Sequence, residues 1–185
     1  MKYQDTWING QLVEKGIREC ESRYIAISNF CRINLNNKFT VCDIGANMNY
    51  FGNRLSEDFG AKIIGFEFND FKNRSDIIKK QKTKNIMYVN RKISLNDIKI
   101  LEGIAKFDLI LALSVLHHNK GNLDEWIKSL LKISKYLIIE FAGSDARKSD
   151  KKNLNYTNQN YELLSLTDSH IDKNKQRKLV LFKNL

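Results

Sequence analysis

Proline is absent from this 185-residue chain. No Pro-, Gly- or Ser-rich stretch divides it, so nothing marks a linker between domains, and no internal repeat stands out. Cysteine is sparse: Cys20, Cys31 and Cys42 lie too far apart for a Cys-x-x-Cys pair, and no Cys/His cluster exists. That argues against a structural zinc site, and no metal is expected. Long apolar runs are also missing. The longest, Leu109 to Leu116, is broken by Ser114 and is far too short to span a bilayer. The opening Met-Lys-Tyr-Gln-Asp has no apolar core of a signal peptide. These absences predict a cytoplasmic protein of one domain, long enough to bury a real core.

Acidic residues are in deficit, 21 against 31 basic ones, for a net charge of +10. Such a surplus invites a nucleic-acid reading. The pattern argues against it. Lys outnumbers Arg almost three to one, and Lys79 to Lys84 and Arg147 to Lys152 carry no interleaved aromatics. A solvated helix end and a loop account for these clusters, with attraction to an anionic substrate such as a sugar phosphate or nucleotide as the other reading.

Apolar periodicity sets the organisation. Val13, Ile17, Cys20, Tyr24, Ile27 and Cys31 recur at three- and four-residue steps, which predicts an amphipathic helix from Leu12 to Phe30. Strands and helices then alternate. Strands are expected at Phe39–Ile44, Lys62–Phe68, Ile86–Asn90, Phe107–Leu113 and Tyr136–Phe141. Helices are expected at Tyr50–Phe59, Arg74–Lys82, Leu95–Gly103 and from an Asn122 cap to Ile133. Cys42 alternates within its strand as a small buried hydrophobe. Gly143 to Asn160 reads as loop. Tyr161–Leu166 and Lys178–Phe182 then read as two strands with no helix between. Five βα units followed by a hairpin predict a Rossmann-like, doubly wound α/β fold. Its seven-stranded sheet is mostly parallel with a C-terminal antiparallel hairpin. Residues 1–37 form an N-terminal helical segment and 38–185 the core.

The most informative stretch is Phe39-Thr40-Val41-Cys42-Asp43-Ile44-Gly45-Ala46-Asn47-Met48-Asn49-Tyr50-Phe51. A β-run ends in an acid, a tight turn follows, and a helix begins. About 24 residues beyond Asp43, the run Ala61 to Glu67 ends in a second acid. Strand, turn and helix N-terminus, followed by a strand ending in an acid, make a nucleoside pocket. Glu67 is placed to accept hydrogen bonds from ribose hydroxyls. Asp43 would repel a pyrophosphate but suits the ammonium of a methionine moiety. The pair resembles motifs one and two of the class I S-adenosylmethionine (SAM) dependent methyltransferases, over roughly residues 38 to 185. The first motif usually has Gly at the positions of Asn47 and Asn49. Asn is the non-Gly residue most tolerant of a left-handed backbone, so the turn can survive.

Within that resemblance, Ser114-Val115-Leu116-His117-His118 at the end of the fourth core strand is similar to the corresponding motif of sugar and small-molecule methyltransferases. Base methylators more often have Asn/Asp-Pro-Pro-Tyr there, which a chain without proline cannot supply. Methyl transfer to a hydroxyl needs somewhere for its proton to go, and neutral His suits that role. Packing or capping accounts equally for one of the two. Glu140, at the end of the fifth core strand, either orients a His or binds a sugar hydroxyl, or is a solvated strand-end acid. The segment Gly16 to Tyr24 looks like the Arg-containing N-terminal helix of bacterial glycan-modifying methyltransferases. Arg23 would hold the cofactor carboxylate or an anionic acceptor; the alternative is a surface Arg paired with Glu19.

The resemblance thus implies SAM as cofactor and S-adenosylhomocysteine (SAH) as product. The implied cofactor-lining residues are Arg23, Asp43, Gly45, Asn47, Glu67, Phe68, Ile93, Leu113 and Ser114, with His117, His118 and Glu140 as catalytic candidates. The acceptor expected is an oxygen of a saccharide, sugar nucleotide or sugar phosphate. RNA or protein methylation and a non-catalytic SAM-binding subunit are the alternatives.

Overall fold

The computed structural model describes residues 3–69, 77, 79–82, 85–119, 122–141, 161–168 and 176–184. The expected Gly143–Asn160 loop lies outside them. Of the expected Arg74–Lys82 helix, Ile77, Lys79 and Lys80 are described and helical, and Gln81 and Lys82 are not helical. Two compact units make up the chain, Met1–Lys92 and Ile93–Leu185.

The first unit opens on a hairpin, β1 (Thr6–Ile8) and β2 (Gln11–Glu14), joined by Asn9-Gly10. Both turn residues have positive φ, 48° and 80°. That is what a two-residue turn matched to strand twist demands, and Asn-Gly supplies it at least cost. Helix α1 then runs Glu21–Asn34. The helix expected from Leu12 is therefore corrected: Leu12 and Val13 are strand residues, about half exposed, and α1 starts nine residues later. Gly16 shows why the chain cannot be helical there. It passes against the backbone of Gln4, where an added Cβ would lie 2.3 Å from the Gln4 carbonyl carbon. The three- and four-residue apolar steps from Val13 to Cys20 straddle a turn rather than a helix.

Next come β3 (Thr40–Ile44), α2 (Tyr50–Phe59), β4 (Lys62–Phe66) and β5 (Ile86–Val89). These strands pair in parallel, with Asp43 opposite Gly65 and Ile44 opposite Phe66. The hairpin is tied down by Glu57 of α2, whose Oε2 accepts from Trp7 Nε1 at 2.6 Å and from Gly10 N at 3.0 Å. Arg54 of α2 lies against three rings, with its Cζ 4.3 Å from the Trp7 centroid, 3.8 Å from Tyr24 and 5.5 Å from Tyr50. One guanidinium thereby joins hairpin, α1 and α2.

The second unit holds α3 (Leu95–Leu101), β6 (Phe107–Leu113), α4 (Leu123–Lys132), β7 (Ser134–Glu140), β8 (Tyr161–Asp168) and β9 (Gln176–Lys183). Ser94 and Asp97 make a reciprocal capping box on α3, and Asn122 Oδ1 caps α4 by accepting from Asp124 N at 2.9 Å. β6 pairs with β7 in parallel, while β9 is antiparallel to both β7 and β8. Residues 109–113 of β6 are buried, which is why the strand reads as a continuous apolar run rather than an alternating one.

Strands β3 to β9 form one seven-stranded sheet in the order β5-β4-β3-β6-β7-β9-β8. This is the expected α/β, mostly parallel sheet with its antiparallel hairpin. No helix among the described residues is long and apolar enough to cross a membrane. The tight fit of Gly16 gives a direct test. Gly16→Ala forces the Gln4 backbone away, and overpacking of this kind costs about 1–3 kcal/mol. Urea unfolding should show a lowered midpoint at unchanged slope; an unaltered midpoint would mean the Gln4 segment is not held there.

Candidate active site

In the first unit, the C-terminal ends of β3 and β4 carry the two acids. Asp43 is 2% exposed and Glu67 7%. The turn between β3 and α2 closes over Phe66: Gly45 N and Ala46 N both donate to its carbonyl, at 2.8 and 3.0 Å. Gly45 has φ 75°, and Asn47 and Asn49 have φ 52° and 56°. Asn thus fills left-handed positions of the kind Gly usually serves.

Glu67 is anchored by the turn. Its Oε2 accepts from Asn47 N at 3.0 Å and its Oε1 from Asn69 N at 2.9 Å. Each carboxylate oxygen has room for a second donor, so capacity for hydroxyls remains. Asp43 differs: its buried Oδ2 has no hydrogen-bond partner among the described residues. Burial pushes the Asp43 carboxyl from its ordinary 3.8 up to about 7, and the neighbouring Glu67 charge pushes it the same way. An orphaned buried acceptor of this kind suits a cationic or N–H donor.

Asn49, the second departure from Gly, is fully buried at the α2 N-cap. Its Nδ2 donates to Asn53 Oδ1 at 2.9 Å, and Asn53 Nδ2 donates to Trp7 O at 2.9 Å. Its side chain packs on two glycines: a Cβ at Gly52 would lie 2.3 Å from Asn49 Oδ1, and one at Gly65 3.3 Å from it. The amide therefore reaches into the unit's interior and links the β3–α2 turn to the N-terminal hairpin.

Arg23 is 1% exposed, so the surface reading of it is corrected. Its Nη2 donates to Glu19 O at 2.8 Å and Cys20 Sγ at 3.2 Å, and its Cζ lies 5.0 Å from the Phe51 centroid. The Glu19 carboxylate turns instead to Ser22, accepting from its N and Oγ. Beside Arg23, burial pushes the Cys20 thiol up to about 11. Phe68, just past Glu67, is 58% exposed with Lys92 Nζ 5.9 Å from its ring centroid, and offers an open flat face. A second buried arginine, Arg18, is 2% exposed and was not singled out from the sequence.

In the second unit, Leu113 is 7% and Ser114 9% exposed at the end of β6, and Ile93 is 4% exposed just before the α3 cap. His117 and His118 lie on a 3-10 turn, Leu116–His118, with His117 half-buried and His118 exposed. Their ring centroids lie 3.8 Å apart, with the planes tilted by 47°. Glu140 is 2% exposed, with Oε2 accepting from Ser114 Oγ at 2.5 Å and Oε1 from Thr167 Oγ1 at 3.1 Å. A solvated strand-end acid is thus excluded. The Ser114 hydroxyl also accepts from Arg177 Nη1 at 2.9 Å, so it faces the protein rather than a ligand. Neither Thr167 nor Arg177 carried a signal in the sequence; both sit in polar, alternating strand segments.

The fold is one this chain shares with solved methyltransferase structures. Over 92% of this chain it superposes on WbdD, a bifunctional kinase-methyltransferase, with TM-score 0.73 and 20% identity. The chain spans 42% of WbdD's length. It also matches a precorrin-6y C5,15-methyltransferase from Geobacter metallireducens (TM-score 0.62, 15% identity, 97% of this chain and 94% of that one). A third likeness is the N-terminal domain of EvdMO1, solved with SAH and D-fucose (TM-score 0.62, 12% identity, 98% and 91%). No protein-family model matches the sequence, nor does any curated protein.

The Asp43 environment makes a prediction about pH. The folded carboxyl titrates near 7 and the unfolded one near 3.8. Between these values the folded state holds a proton that the unfolded state has released, so stability falls as pH rises. The contribution is full below about 4 and lost above about 7. Compared with Asp43→Asn, wild-type protein should lose urea resistance across that window; parallel profiles for the two proteins would refute the buried, protonated Asp43.

Proposed function

We propose that this protein is a SAM-dependent methyltransferase acting on an oxygen of a saccharide, sugar nucleotide or sugar phosphate. The observation that carries it is the buried acid pair: Asp43 has an orphaned oxygen, while Glu67, tied to Asn47 and Asn69, keeps acceptor capacity. Asp43 would hold the ammonium and Glu67 the ribose hydroxyls, with Phe68 as an apolar face for the base. When bound, SAM supplies an electrophilic methyl group on a sulfonium. The chain's own tasks are to hold the acceptor in line and to take its proton. His118, the exposed member of the pair, fits the second task, and half-buried His117 lies beside it. Sugar chemistry is favoured by the Ser114–His118 motif and by the likeness to the EvdMO1 domain, solved in the presence of SAH and D-fucose. An exposed imidazole suits a polar acceptor better than a hydrophobic one.

Calorimetry with SAM tests the cofactor reading. Asp43→Asn and Glu67→Gln each remove the charge from a charge-assisted bond worth about 1.5–3 kcal/mol, so affinity should fall about tenfold or more. Unchanged affinity in folded variants would sink these assignments. Binding should also release a proton near neutral pH, because a cation beside Asp43 lowers its carboxyl's pKa; heats independent of buffer ionisation enthalpy would contradict this.

Turnover is a separate matter, read with labelled SAM on a panel of sugar nucleotides and sugar phosphates. His118→Gln should slow transfer to a hydroxyl by about 10²–10⁴-fold with SAM affinity intact. An already ionised phosphate oxygen needs no base, and the same change would then mainly raise the acceptor's KM. Full activity of the His117→Gln and His118→Gln variants would remove the pair from the mechanism. SAM binding without transfer to any acceptor would leave a SAM-binding subunit.

A further inference from the structure

The second unit contains a buried polar chain of four residues from four strand ends or their flanks. Ser114 follows β6, Glu140 ends β7, Thr167 lies near the end of β8, and Arg177 lies near the start of β9. None is more than 9% exposed. Arg177 Nη1 donates to Ser114 Oγ at 2.9 Å, and Ser114 Oγ donates to Glu140 Oε2 at 2.5 Å. Ser114 N also donates to Glu140 O at 3.0 Å. Ser114 is therefore held twice by Glu140. A hydroxyl has one proton, and with Arg177 donating to it that proton has a single direction, toward the carboxylate.

Ser114 also has φ 55°, a left-handed state. A non-glycine residue stays there only where its surroundings over-determine it. Here the surroundings are the Arg177 and Glu140 groups. Two residues further on begins the 3-10 turn with the two adjoining imidazoles, closed by His118 N donating to Val115 O at 3.0 Å. The dihedral at Ser114 sets the heading of that turn. A buried cation and anion bridged by a hydroxyl add little net stability over apolar side chains of the same volume. What such a bridge does supply is one defined arrangement.

We propose that Arg177 is a positioning residue: acting through the Ser114 hydroxyl and with Glu140, it locks Ser114 left-handed and so fixes the turn that presents His117 and His118. The role of the presented pair rests on the methyl-transfer reading above. The positioning itself does not, and it can be measured without turnover.

The experiment is proton–carbon NMR of the imidazoles. The chain has three histidines, so each resonance is assignable by a single replacement. Ser114→Ala and Arg177→Met should both move the His117 and His118 signals, and Arg177→Lys should return them part of the way. Thr167→Val strips a donor from the other Glu140 oxygen without touching Ser114, and should leave both signals in place. Native far-UV dichroism identifies the folded variants; if Arg177→Met does not fold, Ser114→Ala and Arg177→Lys decide. Imidazole signals at wild-type positions in folded Ser114→Ala would overturn the proposal, as would an equal displacement in Thr167→Val. Calorimetry with SAH on the wild-type protein separates the two readings: absent binding counts against methyl transfer, while the imidazole signals alone decide the role of Arg177.

Discussion

Two carboxylates buried at the ends of neighbouring parallel strands are the constraint on which the rest of the first unit depends. Asp43 and Glu67 belong to β3 and to the residue just past β4, and both are almost wholly excluded from water. Like charges in that setting repel in a medium that screens poorly, and each loses its hydration. The fold resolves this asymmetrically. Glu67 receives two backbone N–H donors from the residues around it. Asp43 receives none on Oδ2 and keeps a proton to nearly neutral pH instead. The left-handed turn through Gly45, Asn47 and Asn49 follows from the same requirement, because only that path aims Asn47 N at Glu67.

Much of this was legible in the sequence. Asp43 and Glu67 were readable because each closes a short apolar strand and a turn follows the first. Strand β6 was readable because burial of residues 109–113 forbids polar alternation, leaving a run that a helix of that length would not show. The N-terminal hairpin was written in the chain as Asn9-Gly10, yet it lost to the competing periodicity of Val13, Ile17 and Cys20. That periodicity was accidental for its first half: only from Glu21 onward does it describe a helix face. A local turn signal of two residues specifies backbone geometry directly, whereas a period read over few residues does not.

Asn49 shows a different limit. Replacing an expected Gly with Asn suggests bulk added to a ligand turn, if the position is considered alone. In the structure the bulk goes inward, and the room for it is made by Gly52 on α2 and Gly65 on β4. The three positions are one packing unit, and the exchange of a small residue for a larger one at 49 is offset at two others far apart in sequence. Arg18 and Arg177 were opaque, and Arg23 was singled out with a surface position left open. Nothing in a linear pattern distinguishes an arginine destined for burial from the many cations on the surface; that depends on which backbone carbonyls, thiols and hydroxyls the fold brings to meet it.

The two units differ in how they treat buried charge, and that difference is itself informative about function. In the second unit the acid is satisfied: Glu140 has Ser114 and Thr167 on its two oxygens, and the Arg177 cation reaches the same hydroxyl. In the first unit Asp43 retains an oxygen that nothing among the described residues satisfies, beside another acid. A protein that only needed to fold would lose nothing by replacing Asp43 with a neutral or apolar residue, since a buried unpartnered acceptor costs stability and returns none. Satisfied buried charge serves to define geometry; unsatisfied buried charge makes sense as an acceptor held for a donor that arrives from outside. That criterion supports the proposed cation site at the β3 end and the proposed role of the Glu140 network as scaffolding for the histidine turn.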